Sequence, residues 1–105
     1  MKNMARYYVA EYDKIPERAG MVCDLDGEEV VLFKLSDGSL AAIENKSPHP
    51  KGGTLGEALV SGHFIYCPVY DWKISLRDGL VQAPDSGQAK IFHTERDGND
   101  VIIVK

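Results

Sequence analysis

Asp26–Glu44 reads D-G-E-E-V-V-L-F-K-L-S-D-G-S-L-A-A-I-E, and this stretch decides the fold class. Two Asp-Gly pairs bracket Val30, Val31, Leu32 and Phe33, a β-branched and aromatic run too short for an ordinary helix. Asp-Gly between apolar runs is a strong hairpin signal, because both residues tolerate the positive φ that a tight primed turn requires. Glu29 to Leu35 and Leu40 to Glu44 are therefore expected as paired strands joined at Asp37-Gly38.

The same punctuation continues in both directions. Tyr7 to Ala10 reads as a first strand and Gly20 to Leu25 as a second, with Ile15-Pro16-Glu17-Arg18 as a connection where Pro withholds a ladder donor. Ala58 to Val60 and His63 to Tyr66 flank Ser61-Gly62, Trp72 to Leu76 and Leu80 to Gln82 flank Arg77-Asp78-Gly79, and Ala89 to Thr94 pairs with Val101 to Val104 through Asp97-Gly98. The expected architecture is all-β, an antiparallel sandwich or small barrel. A length of 105 residues matches one domain, 1–105.

Composition removes several classes of function. Lys and Arg total 12 against 16 Asp and Glu, a net charge of −4 with no basic run, so nucleic acid is excluded as a partner. Met1 to Arg6 is followed by Tyr-Tyr-Val and then acidic residues, with neither a signal-type apolar core nor a spanning stretch. No membrane contact and a cytoplasmic location are expected. Two cysteines, Cys23 and Cys67, do not make a secreted disulfide framework.

Two segments break the strand pattern. Asn45 to Gly53 holds Pro48, Pro50, Gly52 and Gly53, which forbid a regular element, and a second loop opens at Cys67-Pro68. In full they read S-P-H-P-K-G-G-T-L at Ser47 to Leu55 and C-P-V-Y-D-W-K-I-S-L-R-D-G at Cys67 to Gly79. Irregular loops on a rigid scaffold commonly carry function.

These loops resemble the two cluster-binding loops of Rieske-type ferredoxins, whose pattern is C-x-H and then C-x-x-H; seventeen residues separate His49 from Cys67, which fits that spacing. The resemblance is closest to the small subunit of the assimilatory NAD(P)H-dependent nitrite reductase. It runs through K-G-G-T-L, V-S-G, C-P-V-Y-D-W-K-I-S-L-R-D-G and V-Q-A-P-D, over Ile43 to Asp85. It implies a Rieske-like fold with a two-loop subdomain at roughly residues 44–82, and a cytoplasmic oxidoreductase subunit serving nitrate assimilation. It also implies a partner: the nitrite reductase large subunit, which carries flavin, an iron–sulfur cluster and sirohaem and performs the chemistry.

Under that resemblance the family's four ligand positions fall on Ser47, His49, Cys67 and Tyr70. A Rieske centre uses two thiolates on one iron and two imidazoles on the other, so each iron would keep only one usual ligand here. An ungapped match on K-G-G instead puts Pro48 and Pro50 in the first loop's ligand positions, and proline cannot ligate iron. The expectation is a non-catalytic accessory subunit with no 2Fe-2S cluster, no metal and no other cofactor of its own.

Each residue also has a simpler reading. His49 serves as a polar loop residue and Cys67 as a small buried thiol. Tyr70 is expected in the former cluster pocket, its hydroxyl bonded to Ser47 or a backbone carbonyl. Trp72 reads as core on the face of Ile74, Lys51 and Lys73 as flanking surface, and Cys23 as core or edge. Other readings stay open: a Rieske-type ferredoxin electron carrier, a non-redox interaction module, a Cys67-dependent enzyme, or a mononuclear metal on His49 and Cys67, two ligands where zinc sites use three or four.

Overall fold

Val30, Val31, Leu32 and Phe33 are all fully buried, and the pleat sends them alternately to the two faces of their strand. The computed structural model, which describes residues 5–68 and 70–105, builds two apolar layers around that alternation. Strands are β1 Arg6–Glu11, β2 Gly20–Leu25, β3 Glu28–Lys34, β4 Leu40–Glu44, β5 Leu59–Ser61, β6 Phe64–Tyr66, β7 Lys73–Ser75, β8 Ile91–Asp97 and β9 Asp100–Val104. A 3-10 turn at Tyr12–Lys14 follows β1.

Six strands form one antiparallel sheet in the order β1-β9-β8-β4-β3-β2, and β5-β6-β7 form a second. Val30 and Leu32 pack with Leu25, Ala42, Phe92, Val101 and Ile103 on one side of the large sheet. Val31 and Phe33 face the other way, where Ile43 joins Ile65 and Ile74 of the small sheet, together with Leu55, Cys67 and Leu76. The large sheet curls until its ends meet: the Tyr7 hydroxyl donates to the Asp26 carboxylate at 2.6 Å, and the Lys105 ammonium donates to the Leu25 carbonyl at 2.8 Å. The result is a nearly closed all-β fold.

Asp26-Gly27 takes the conformation that recommended it, whereas at Asp37-Gly38 and Asp97-Gly98 only the glycine has positive φ, and Asp97 stays in β8. Asp26 and Gly27 have φ of 54° and 90°, and the Asp24 carboxylate accepts the Gly27 N–H at 2.7 Å. The two-residue turn Gly98-Asn99 joins β8 to β9, with Asp97 opposite Asp100. One expected strand does not form. Leu80 to Gln82 makes only single bridges, Ile74 to Val81 and Leu80 to Gln88, because Gly79 at φ 78° and Pro84 leave too short a span for a ladder. Among the described residues no helix is long and apolar enough to cross a membrane.

Candidate functional site

Strand β4 ends at Glu44, and the next residue fixes the first loop. The Asn45 side-chain oxygen accepts two backbone N–H groups, from Leu55 at 2.8 Å and Gly56 at 2.9 Å, while its amide nitrogen donates to Glu29 at 3.1 Å. The loop between is closed by Ser47 N–H to the Gly53 carbonyl at 2.9 Å and Gly52 N–H to the His49 carbonyl at 2.8 Å. Leu55, the far anchor, is fully buried. The second loop leaves β6 at Tyr66 and is pinned by Cys67 N–H to the Trp72 carbonyl at 2.8 Å. Tyr70 and Asp71 adopt left-handed backbone, φ 70° and 55°, which L-residues rarely do.

The two loops meet in two pairs. In the buried pair the Cys67 thiol lies 3.3 Å from the Ser47 hydroxyl oxygen and donates to it, with the two residues 1% and 2% exposed. In the outer pair the rings of His49 and Tyr70 are stacked, centroids 3.9 Å apart and planes 7° from parallel. Trp72 backs the imidazole at 4.6 Å, tilted by 55°. The His49 Nδ1 accepts the Lys51 N–H at 3.0 Å, which leaves the proton of a neutral ring on Nε2. Beside the stack lies a cavity of about 310 Å³ lined by Glu44, Lys46, Ser47, Pro48, His49 and Gln88.

All four sequence-predicted site residues are thus brought together, and Ser47 and His49, not Pro48 and Pro50, face the second loop. The expected bond between Tyr70 and Ser47 is absent: Ser47 is occupied by Cys67 and by the His49 N–H at 3.2 Å, and the left-handed turn carries Tyr70 outward, 50% exposed, onto His49. Trp72 stands just before β7, half-buried against both the core and His49. Cys23 is half-buried on β2, an edge strand of the large sheet, where burial pushes its thiol pKa up. Asn45 escaped the sequence reading; the usable signal was an Asn directly after a strand, but its partners sit ten and eleven residues downstream.

Residues 7–105 match the Rieske-like [2Fe-2S] domain family. The chain belongs to that family. Among solved structures it is similar to a candidate NADH-dependent nitrite reductase small subunit from Mycobacterium tuberculosis, at 20% identity and TM-score 0.89, covering 99% of this chain and 97% of that one. A candidate small subunit of an NADPH-dependent nitrite reductase aligns at 20% identity and TM-score 0.81, covering 96% and 99%. The ferredoxin of carbazole 1,9a-dioxygenase from Nocardioides aromaticivorans aligns at 23% identity and TM-score 0.84, covering 93% and 95%. At these identities the likeness establishes the fold.

A Rieske-like fold implies a 2Fe-2S cluster between two loops, held by two thiolates and two imidazoles. Ser47, His49, Cys67 and Tyr70 supply one thiol, one imidazole, an aliphatic hydroxyl and a phenol. The hydroxyl oxygens are harder donors than thiolate or imidazole, and the Nδ1 of the one imidazole already accepts a backbone N–H. This donor set does not fit the cluster.

Proposed function

We propose that this Rieske-like chain is the accessory small subunit of a cytoplasmic NAD(P)H-dependent nitrite reductase of nitrate assimilation, acting through contacts and not as an electron carrier. The carrying observation is the pairing of Ser47 with Cys67 and of His49 with Tyr70. It keeps the geometry of two loops closing on one another while filling that geometry with side chains that bond to each other. The run over Ile43 to Asp85 supports the nitrite reductase assignment, and so does the likeness in fold to small-subunit candidates. In this reading Ser47, His49, Cys67 and Tyr70 stand at degenerate ligand positions. Flavin, sirohaem and the iron–sulfur cluster belong to the large subunit, where nitrite is reduced to ammonia.

Two measurements test the proposal. Anaerobically purified chain is expected to be colourless and free of stoichiometric iron and sulfide, and to be retained by the large subunit under reducing conditions. Iron and sulfide in equal, near-stoichiometric amounts would restore the electron-carrier reading, which the fold shared with the carbazole dioxygenase ferredoxin favours. Failure to bind the large subunit would leave a non-redox interaction module with another partner.

A further inference from the structure

The small sheet has two faces, and only one of them is covered. Val60, Ile65 and Ile74 stand opposite one another across β5, β6 and β7 and are buried with Val31, Phe33 and Ile43 of the large sheet. Pleating sends their neighbours the other way. Leu59, Tyr66 and Lys73 make one outward row, and Ser61, Phe64 and Ser75 make the next. The bridge from Ile74 to Val81 extends the same face to Leu80, because Val81 points inward beside Ile74.

This outward face is apolar and open. Leu59, 73% exposed, is the most exposed large apolar side chain among the described residues; Leu80 is 45% exposed, and Phe64 and Tyr66 are half-buried between the two. The single charge in the two rows is Lys73, and no acid stands in either. Its ammonium lies 4.3 Å over the Phe64 ring and pairs with no carboxylate among the described residues. Elsewhere the surface lysines are matched: Lys90 and Lys105 lie 3.4 Å and 3.3 Å from Glu28, and Lys14 lies 2.9 Å from Glu11.

That combination chooses among occupants. Nucleic acid needs more than one cation on a chain of net charge −4. A second copy related by a twofold axis would set the face against itself, and the face offers no carboxylate to the other copy's Lys73, so both ammonium groups would be buried unpaired. A different protein surface, apolar and holding a carboxylate, meets both demands: it covers Leu59, Phe64, Tyr66 and Leu80 and pairs with Lys73.

We infer that this chain docks on its partner protein through the outer face of β5, β6 and β7, against an apolar patch that sets a carboxylate opposite Lys73. The inference rests on the accessory-subunit reading, which makes the large subunit that partner. It puts the docking surface on strands and not on the His49–Tyr70 loop end.

The test measures binding of the whole chain to the purified large subunit by titration calorimetry. Leu59→Glu, Leu80→Glu and Lys73→Glu are each expected to weaken it about tenfold or more, with the free variants still folded by thermal unfolding. Tyr8→Ser, on β1 at an edge of the large sheet, and Tyr70→Ala, at the loop end, should stay within about twofold of the natural chain. If the natural chain binds and the three sheet-face variants bind as well as it does, the inference falls and the accessory-subunit reading stands. Loss confined to Tyr70→Ala moves docking to the loops and overturns the inference too. A self-associated chain that Leu59→Glu dissociates, seen by sedimentation, assigns the face to a second copy and likewise overturns it. A natural chain that does not bind the large subunit overturns the reading and the inference together.

Discussion

The ring of Tyr70 lies flat on the imidazole of His49, 3.9 Å between centroids, while one layer deeper the thiol of Cys67 rests on the hydroxyl of Ser47 at 3.3 Å. In the proposed reading these four positions are those of two thiols and two imidazoles in a Rieske centre, with two side chains changed. Ser47→Cys with Tyr70→His, expressed with iron and sulfide, is therefore expected to gain about two irons per chain and visible 2Fe-2S absorption. Either single variant should gain neither. A double variant that folds and remains colourless would show that the loops no longer hold the spacing.

Removing the Asn45 clamp should loosen the first loop without touching the stack. Asn45→Ala leaves the Leu55 and Gly56 N–H groups without their acceptor, at a cost of about 1–3 kcal/mol in urea unfolding. Amide exchange at Leu55 and Gly56 should accelerate more than exchange at Val31.

Glycines at close approaches should rank above glycines that serve turns alone. A Cβ at Gly20 would collide with the Gly56 carbonyl oxygen and approach Val31 at 2.8 Å; one at Gly79, φ 78°, would collide with the Ala89 carbonyl oxygen. Gly27, φ 90°, faces open space. Gly20→Ala is expected to cost about 1–3 kcal/mol through overpacking. Gly79→Ala, which adds backbone strain, should cost more, and Gly27→Ala about 1 kcal/mol from strain alone. Urea midpoints for the three variants check the order.

How much of this was legible differs between frame and detail. β2 and β4 have the boundaries that Gly20 to Leu25 and Leu40 to Glu44 suggest, because Asp-Gly turns and apolar alternation are local signals. Leu80 to Gln82 looks like a strand to the same reading, yet Gly79 and Pro84 confine it to two bridges. At the site, it was the resemblance to Rieske-type cluster loops that singled out Ser47, His49, Cys67 and Tyr70. The posture of Tyr70 could not be read, since it depends on two consecutive left-handed residues that tyrosine and aspartate seldom adopt. Asn45 was invisible for another reason: its bonds close a loop whose far end is not marked in the sequence.

Acid should weaken the fold partly through Asp37. Hydrogen bonds from the Ser39 hydroxyl and N–H, with His63 nearby, hold this carboxyl below its ordinary range. A depressed folded-state pKa stabilises above the unfolded value of about 3.9 and is lost as pH falls through the folded one. The advantage of the natural chain over Asp37→Asn, followed by urea midpoints from pH 6 to pH 2.5, should therefore shrink below pH 4. A difference independent of pH would assign the effect to geometry.

Thiol chemistry should report global opening. Cys67 is 1% exposed and burial raises the Cys23 thiol pKa, so a disulfide reagent at neutral pH should label the native chain at least about tenfold more slowly than the urea-unfolded chain. Rapid labelling of Cys67 in the native chain would contradict the buried pairing with Ser47.

β3 is a party wall. Val30 and Leu32 belong to the rooms on one side, Val31 and Phe33 to those on the other, so neither side can be vacated while its neighbour stays furnished. Melting should be one all-or-none event, and residues 44–82 cut from the chain should not hold their loops in place. A docking partner therefore meets a surface whose shape is underwritten by the entire molecule, including strands it never touches.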